Sequence, residues 1–378
     1  MARTTPSWTT AALGSKRTKD RPEPGAARGQ SEGRRFGSDR FCRNKARHSA
    51  VSETRGVICL AQHFLLSIAA RTLSLSKVMR LSDDQAFETF RSIRWASTEG
   101  QPVCPKCGCV ESYAITTRKL WKCAGCLTQF SVTSGTIFAS RKLPIRDLLA
   151  AIAIFVNGAK GHSALQLSRD LNVQYKTAFV LSHKIREALG GAQQAQTLEG
   201  DVEVDGAYFG GYVKPANRKV DRVDRRLAMH QTGKRRVVVI MRERHGQSLP
   251  FVFNTEGAAV STIHERAANG ATIHADEASH WDSLHARFLT KRINHSECYS
   301  DGVACTNWAE SFFSRIRRAE VGTHHHIAGK YLQAYANEMA WREDNRRVSN
   351  GEQYLAAVGA ALEHPVSRQW KGYWQRAA

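Results

Sequence analysis

The sequence predicts a multidomain α/β chain: a cysteine-bearing module, then a helical region, then a mixed sheet flanked by helices. Three observations carry that expectation. A length of 378 residues is enough to bury more than one core. Cys104, Cys107, Cys109, Cys123 and Cys126 crowd into one short window. Short runs rich in Val, Ile and Phe, at Val202 to Asp205, Arg236 to Arg242, Pro250 to Asn254 and Thr272 to Asp276, read as strands, and helical periodicity flanks them on both sides.

In chain order, residues 1–78 carry Pro, Gly, Ser and Arg without periodicity until an apolar patch at Ile58 to Ala69, and are expected to form a disordered basic extension. Met79 stands directly before an amphipathic stretch, Leu81 to Ile93, with Ser82 as its N-cap, so it is a candidate native start. The alternative for the extension is a basic interaction arm. An N-terminal helix is expected over 79–100, the cysteine module over 101–140, a pair of helices over 141–192, the sheet domain over 198–350 and a helical tail over 351–378. Apolar-periodic runs from Trp308 to Ile316 and from Lys330 to Trp341 supply helices late in the sheet domain.

The net charge of +21 and pI near 9.9 favour a polyanionic partner, nucleic acid ahead of a membrane surface. No stretch approaches the roughly 18 apolar residues of a membrane span. The best, Val57 to Ala70, is broken by Gln62 and His63. Met1 to Gln30 has no apolar centre of the kind a secretory signal needs, so a cytoplasmic location is expected.

Cys104-Pro-Lys-Cys107 and Cys123-Ala-Gly-Cys126 form two knuckles of C-x2-C spacing, which lets both sulfurs of each tight turn reach one ion. Four thiolates satisfy tetrahedral Zn2+ with no open position, so the metal is expected to be structural, with Cys109 a non-ligand. Between the knuckles, Tyr113, Arg118, Lys119, Trp121 and Lys122 suit contact with a phosphate backbone or a solvated hairpin face. Further on, Ser163 to Asp170, the turn Leu171-Asn172-Val173 and Gln174 to Leu189 read as helix, turn and second helix, an arrangement able to lay one helix in a major groove. Gln174, Tyr175, Lys176, Thr177, His183 and Arg186 are the candidate DNA contacts, and an ordinary helical hairpin is the alternative.

Asp201-Val-Glu203-Val-Asp205 alternates acid and valine, so its three carboxylates share one strand face, which is costly unless they are solvated or hold cations. A second strand ends in Asp276, and Glu310 sits on a predicted helix. Two strand-end aspartates and a helical glutamate are a donor set for two Mg2+ or Mn2+ ions, which activate a water or a 3'-hydroxyl and stabilise the leaving oxygen of an in-line phosphoryl displacement. Arg317, seven residues beyond Glu310, returns to the same side of that helix.

In that order, VCPKCG with WKCAGC, SRDLNVQYKTAFVLSHKIR, VEVDGAYFGG, HADEA, TNWAESFFSRIRR and GTHHHIAGKYLQAYANEMAWREDNRR resemble the ISXO-type branch of insertion-sequence transposases over about Met79 to Arg347. The resemblance implies a ribonuclease H-like catalytic domain with a DDE triad. It makes Asp205 the first acid, Asp276 the second and Glu310 the third, with Asn307 as the alternative third ligand. It implies DNA as partner, both terminal inverted repeats and target, and a homo-oligomer that joins two ends. A DNA-binding regulator without catalysis and a hydrolytic nuclease of the same fold are the rival readings. His324, His325 and His326 read as a solvated or DNA-facing turn, since three consecutive rings cannot all face one ion on a regular element. Arg342, Asn345, Arg346 and Arg347 read as DNA contacts or as cations complementing their own helix C-terminus.

Overall fold

The computed structural model describes residues 64–194, 196–210, 217–223, 233, 235–244, 246–293 and 305–375. Helix α1, Leu75–Met79, leads into α2, Asp83–Arg94. A capping box starts α2: the Gln85 N–H donates to the Ser82 hydroxyl while the Ser82 N–H donates to the Gln85 side chain. Residues 64–78, expected to be disordered, are folded in part onto the rest of the chain. Val78 is buried, and the N–H groups of Thr72 and Leu73 donate to Asn350 Oδ1 at 2.9 and 2.8 Å. Composition hid this order because the partner lies almost at the other end of the sequence. Residues 1–63 of the expected extension lie outside the described residues.

The cysteine module is a three-stranded antiparallel sheet of β1, Ser112–Ile115, β2, Leu120–Cys123, and β3, Gln129–Phe130. Trp121, read from sequence as part of a phosphate-facing or solvated hairpin surface, packs against α2. It stacks on Phe87 of α2 at 5.9 Å between ring centroids and meets Trp95 edge-on at 5.2 Å, which clamps α2 to the module. Lys119 is likewise engaged, pairing with Asp84 of α2 at 2.5 Å.

Three helices follow: α3, Ile145–Asn157, α4, Ala164–Asp170, and α5, Tyr175–Gln194. Helix α3 is buried along nearly its whole length, as its run of Leu, Ala, Ile, Phe and Val requires. With α2, α5, the cysteine module and α9, Asn350–Glu363, it forms one continuous core. Helices α4 and α5 are joined by a tight turn in which Asn172 takes φ +50° and the Val173 N–H donates to Ser168 O at 2.9 Å.

The second sheet contains β4, Asp201–Phe209, β5, Arg236–Glu243, β6, Ser248–Phe253, β7, Thr272–Asp276, and β8, Leu289–Ile293, in the order β6-β5-β4-β7-β8. The first three are antiparallel, and β4, β7 and β8 run parallel. This is the ribonuclease H-like arrangement, preceded by the zinc-ribbon module. Strand β8 and the short helix α6, Val260–Arg266, escaped sequence reading. Leu289-Thr-Lys-Arg-Ile is an edge strand with Leu289 exposed, so it lacks the apolar alternation of the central strands.

Each face of this sheet has its own core. Val202, Val204, Val237, Val239, Ile273 and Ala275 face Ile263, Trp281 and Leu284. Ala207, Phe209, Val238 and Ile240 face α7, Asn307–Ala319, and α8, Leu332–Asp344. Ala309, Phe312, Phe313 and Ile316 of α7 recur at helical spacing and are all buried there.

Candidate active site and zinc centre

The zinc centre is built locally. The sulfurs of Cys104 and Cys126 lie 3.6 Å apart and those of Cys107 and Cys123 3.5 Å apart, and all four ligand atoms fall within 4.8 Å of one another. Tetrahedral zinc with Zn–S bonds of about 2.3 Å needs sulfurs roughly 3.8 Å apart, so the donor set fits a structural Zn2+. Cys109 stands apart, its Sγ directed at Glu111 O.

The acids are gathered over much longer distances. In the parallel pair β4–β7, Glu203 lies opposite His274. Asp205 and Asp276 each lie two residues beyond this last paired position, at the same end of the two strands and, by alternation, on the same face. Alternation along β4 points Asp201, Glu203 and Asp205 towards α7, while the valines between them enter the other core.

Glu203 has a positioning role that sequence reading missed. Its side chain is wholly buried and takes a different part from the two aspartates. The N–H groups of Trp308 and Ala309 donate to Glu203 Oε2 at 2.8 and 3.1 Å, and Arg244 Nε donates to Oε1 at 3.2 Å. The carboxylate thus satisfies two of the four open donors at the start of α7 and complements its dipole. It fixes where α7 begins, and Glu310 lies in the first turn. Behind it, His274 Nε2 meets Asp201 Oδ1 at 2.8 Å while Arg244 Nη2 donates to His274 Nδ1 at 3.2 Å, which assigns the His274 proton to Nε2. An acid in alternation with valine was legible, but its helix partner, more than a hundred residues away, was not.

The electrostatics of Asp205 join the acids together. Burial pushes its carboxyl up to about 7; the Gly206 N–H, donating at 2.7 Å, works against this, and the charges of Asp276, Glu256 and Glu310 add to it. A buried acid ringed by acids is stabilised by a cation. Glu256, in a turn after β6, was not anticipated at this place. Burial raises its pKa, His280 and Arg235 lower it, and Asp276 raises it. Among the described residues only the cysteines bring three or more ligand atoms within 4.8 Å. A pair of ions about 3.5–4 Å apart is clamped by carboxylates spread around it, so the acids need not close on one point. Asn307 and Glu310 are both exposed on the first turn of α7, and Arg317 is exposed further along the helix with its guanidinium 5.9 Å from the Phe313 ring.

Two of the candidate DNA contacts are overturned. His183 and Arg186 are buried, at 0% and 1% exposure. Arg186 Nε donates to Glu338 Oε2 of α8 at 2.6 Å, and the His183 ring stacks on Trp370 at 4.3 Å. They lie on the inward side of α5, and polar side-chain type alone could not reveal that a carboxylate and an aromatic cage were waiting. Gln174, Tyr175, Lys176 and Thr177, at the start of the same helix, are exposed. Arg342 is buried too: it pairs with Glu338 at 3.0 Å and donates to Phe155 O and Val156 O, so it complements the C-terminus of α3 and not that of its own helix. His324 packs edge-on against Tyr335, whereas His325 and His326 are exposed.

A knuckled zinc ribbon ahead of a ribonuclease H-like sheet defines a DNA-processing class of protein, and comparison with known families agrees. Residues 197–344 match the ISXO2-like transposase domain, and residues 81–129 match the transposase zinc-ribbon domain. Together the two matches cover just over half of the chain. The chain belongs to the zinc-ribbon DDE insertion-sequence transposases of this ISXO2-like kind. Neither the curated proteins nor the solved structures include a significant match.

Proposed function

We propose that this transposase binds the terminal inverted repeats of its element and cleaves and joins DNA strands at a site made by Asp205, Asp276 and Glu310. The observation that carries the reading is the placement of Asp205 and Asp276 on one face and at one end of two parallel strands, with burial pushing the Asp205 carboxyl up to about 7 and the charges of Asp276 and Glu310 adding to it. An oxygen-only donor set of this kind fits two Mg2+ or Mn2+ ions. Bound there, the ions would supply activation of a water or 3'-hydroxyl and charge stabilisation at the leaving oxygen.

The protein's own groups hold that arrangement. Glu203 anchors α7 so that Glu310 faces the strand ends, and Asn307, one turn earlier, is the alternative third ligand. Arg317, two turns beyond Glu310, is set to meet a DNA phosphate. Gln174, Tyr175, Lys176 and Thr177, at the exposed start of the second helix, would read the repeat from the major groove, with the zinc ribbon beside them on the backbone. Two ends must be joined in one complex, so the working form would be a dimer or larger assembly.

The test is cleavage of DNA carrying the element's own ends. Asp205→Asn and Asp276→Asn should keep binding to those ends and lose Mg2+-dependent cutting. Cutting that survives either change would end the reading. Cutting without insertion into a plasmid target would reduce it to a nuclease.

A further inference from the structure

A cavity of about 510 Å3 lies between α5 and residues 370–375, within the range of about 300–1,000 Å3 typical of ligand pockets. One stripe of α5 lines it, with Thr177, Val180 and Lys184 at helical spacing, and Leu148 of α3 adds to its apolar floor. Trp370, Tyr373 and Trp374 form an aromatic wall. That wall is anchored. Trp370 is buried and stacks on His183 at 4.3 Å, Tyr373 lies 4.8 Å from the Trp370 ring and shares a hydroxyl hydrogen bond with Tyr331, and Trp374 Nε1 donates to Lys176 O at 3.3 Å. Trp374 is still 47% exposed, so its ring has surface left to offer.

The charge around this cavity is of one sign. Arg141, Lys142, Lys176 and Lys184 line it, and among the described residues no acid does. Burial lowers the Lys184 pKa against the opposing charge of Glu187, and an anion brought to Lys184 would restore what desolvation takes away. An apolar slot with an aromatic wall and cationic surroundings matches a nucleotide, whose base has flat apolar faces and whose phosphates are anionic. A paired duplex does not match, because its bases are stacked inside the phosphate backbone. Residues 1–63 of this chain are themselves rich in Arg, so charge disfavours them as the occupant. An acidic peptide would answer the cations and leave the aromatic wall unused.

We propose that this cavity takes one unpaired nucleotide of single-stranded DNA, its base against Tyr373 and Trp374 and its phosphates on Arg141, Lys142 and Lys184. The inference rests on the reading above and extends it: the start of α5 reads the duplex repeat, and an unpaired strand beside that duplex is held in the cavity. Thr177 borders both surfaces.

The experiment is fluorescence-anisotropy titration of the full-length, zinc-loaded protein without added Mg2+, using labelled single-stranded oligothymidylate and a labelled blunt duplex of the element's ends. Trp374→Ala should weaken single-strand binding by about fivefold to a hundredfold, the loss that accompanies one stacked base, and should change duplex binding by less than about twofold. Trp374→Phe should keep most of the single-strand affinity, because a flat ring remains. Lys142→Ala should lower the slope of log affinity against log salt on the single strand by about 0.7. Wild-type single-strand affinity in Trp374→Ala would overturn the inference. So would an equal loss on both DNAs, or a loss that Trp374→Phe shares, since either marks packing of residues 370–375 and not a base contact. Competition by polyglutamate as strong as by unlabelled oligothymidylate would also overturn it, assigning the cavity to acidic peptides. Each of these results leaves duplex binding and Mg2+-dependent cutting to be judged by their own tests, whereas a wild-type protein that binds neither DNA ends both readings.

Discussion

The zinc centre and the acid site both gather anionic side chains for a cation, but the chain assembles them on different scales. The four cysteines come from two tight turns of one small sheet, and their spacing already fixes the geometry. The candidate acids come from β4, β7 and α7, and their arrangement depends on strand register and on Glu203 gripping the start of α7. One site is therefore robust to everything except its ligands. The other can be disturbed from residues that touch no metal.

The largest effect expected on this contrast is at the zinc centre. Cys104→Ser or Cys123→Ser forfeits metal-binding energy on the order of 10 kcal/mol and should unfold residues near 101–138. Near-ultraviolet circular dichroism would show it as loss of the Trp121 and Trp95 signal. Mn2+ binding at the acids should persist, and its loss would erase the distinction between the two regions.

Next comes Glu203→Gln. It removes the Glu203–Arg244 ion pair and weakens the cap on α7, at a cost of about 3 kcal/mol in urea unfolding. Strand cleavage should fall with it. A neutral result would mean that α7 is held by its apolar face alone.

A smaller and pH-dependent effect belongs to Asp205. Its folded pKa of about 7 lies above the ordinary 3.8, so the folded, Mg2+-free protein keeps a proton that the unfolded chain releases. That stabilisation is complete below pH 4 and is lost as pH rises through 7, a change on the order of a few kcal/mol. Urea midpoints in Mg2+-free buffer should therefore fall across this window, and Asp205→Asn should flatten that part of the fall. Mg2+ affinity should rise over the same range as the proton is displaced.

The smallest effect is Lys176→Ala. Removing one phosphate contact should weaken binding to all DNA sequences alike and reduce the slope of log affinity against log salt by about 1. An unchanged slope in filter-binding measurements would move the DNA-reading surface away from the start of α5.

Much of this molecule was legible because the relevant signals are short-range. The capping box at Ser82, the C-x2-C knuckles, the alternation of β4 and the helical spacing of Ala309, Phe312, Phe313 and Ile316 each fit inside one element. The errors share the opposite cause. His183, Arg186 and Arg342 are cationic or titratable groups on helices, and such groups are solvated unless something distant pairs with them. Here Glu338 pairs with Arg186 and Arg342, Phe155 and Val156 carbonyls from α3 hold Arg342 further, and Trp370 stacks on His183, so three apparent surface residues become core ones. Residues 64–78 were misjudged for the same reason, since Asn350 orders them from far along the chain.

By itself, the sequence determined the four clustered cysteines, the order of the modules and the candidate acids, because covalent spacing and side-chain chemistry are written residue by residue. Only the tertiary structure decided that Glu203 caps a helix while Asp205 stands at the strand end beside other acids. The three carboxylates of β4 are chemically alike. Their roles diverge because the energy of a buried charge depends on what packs against it, and that partner is chosen by the fold.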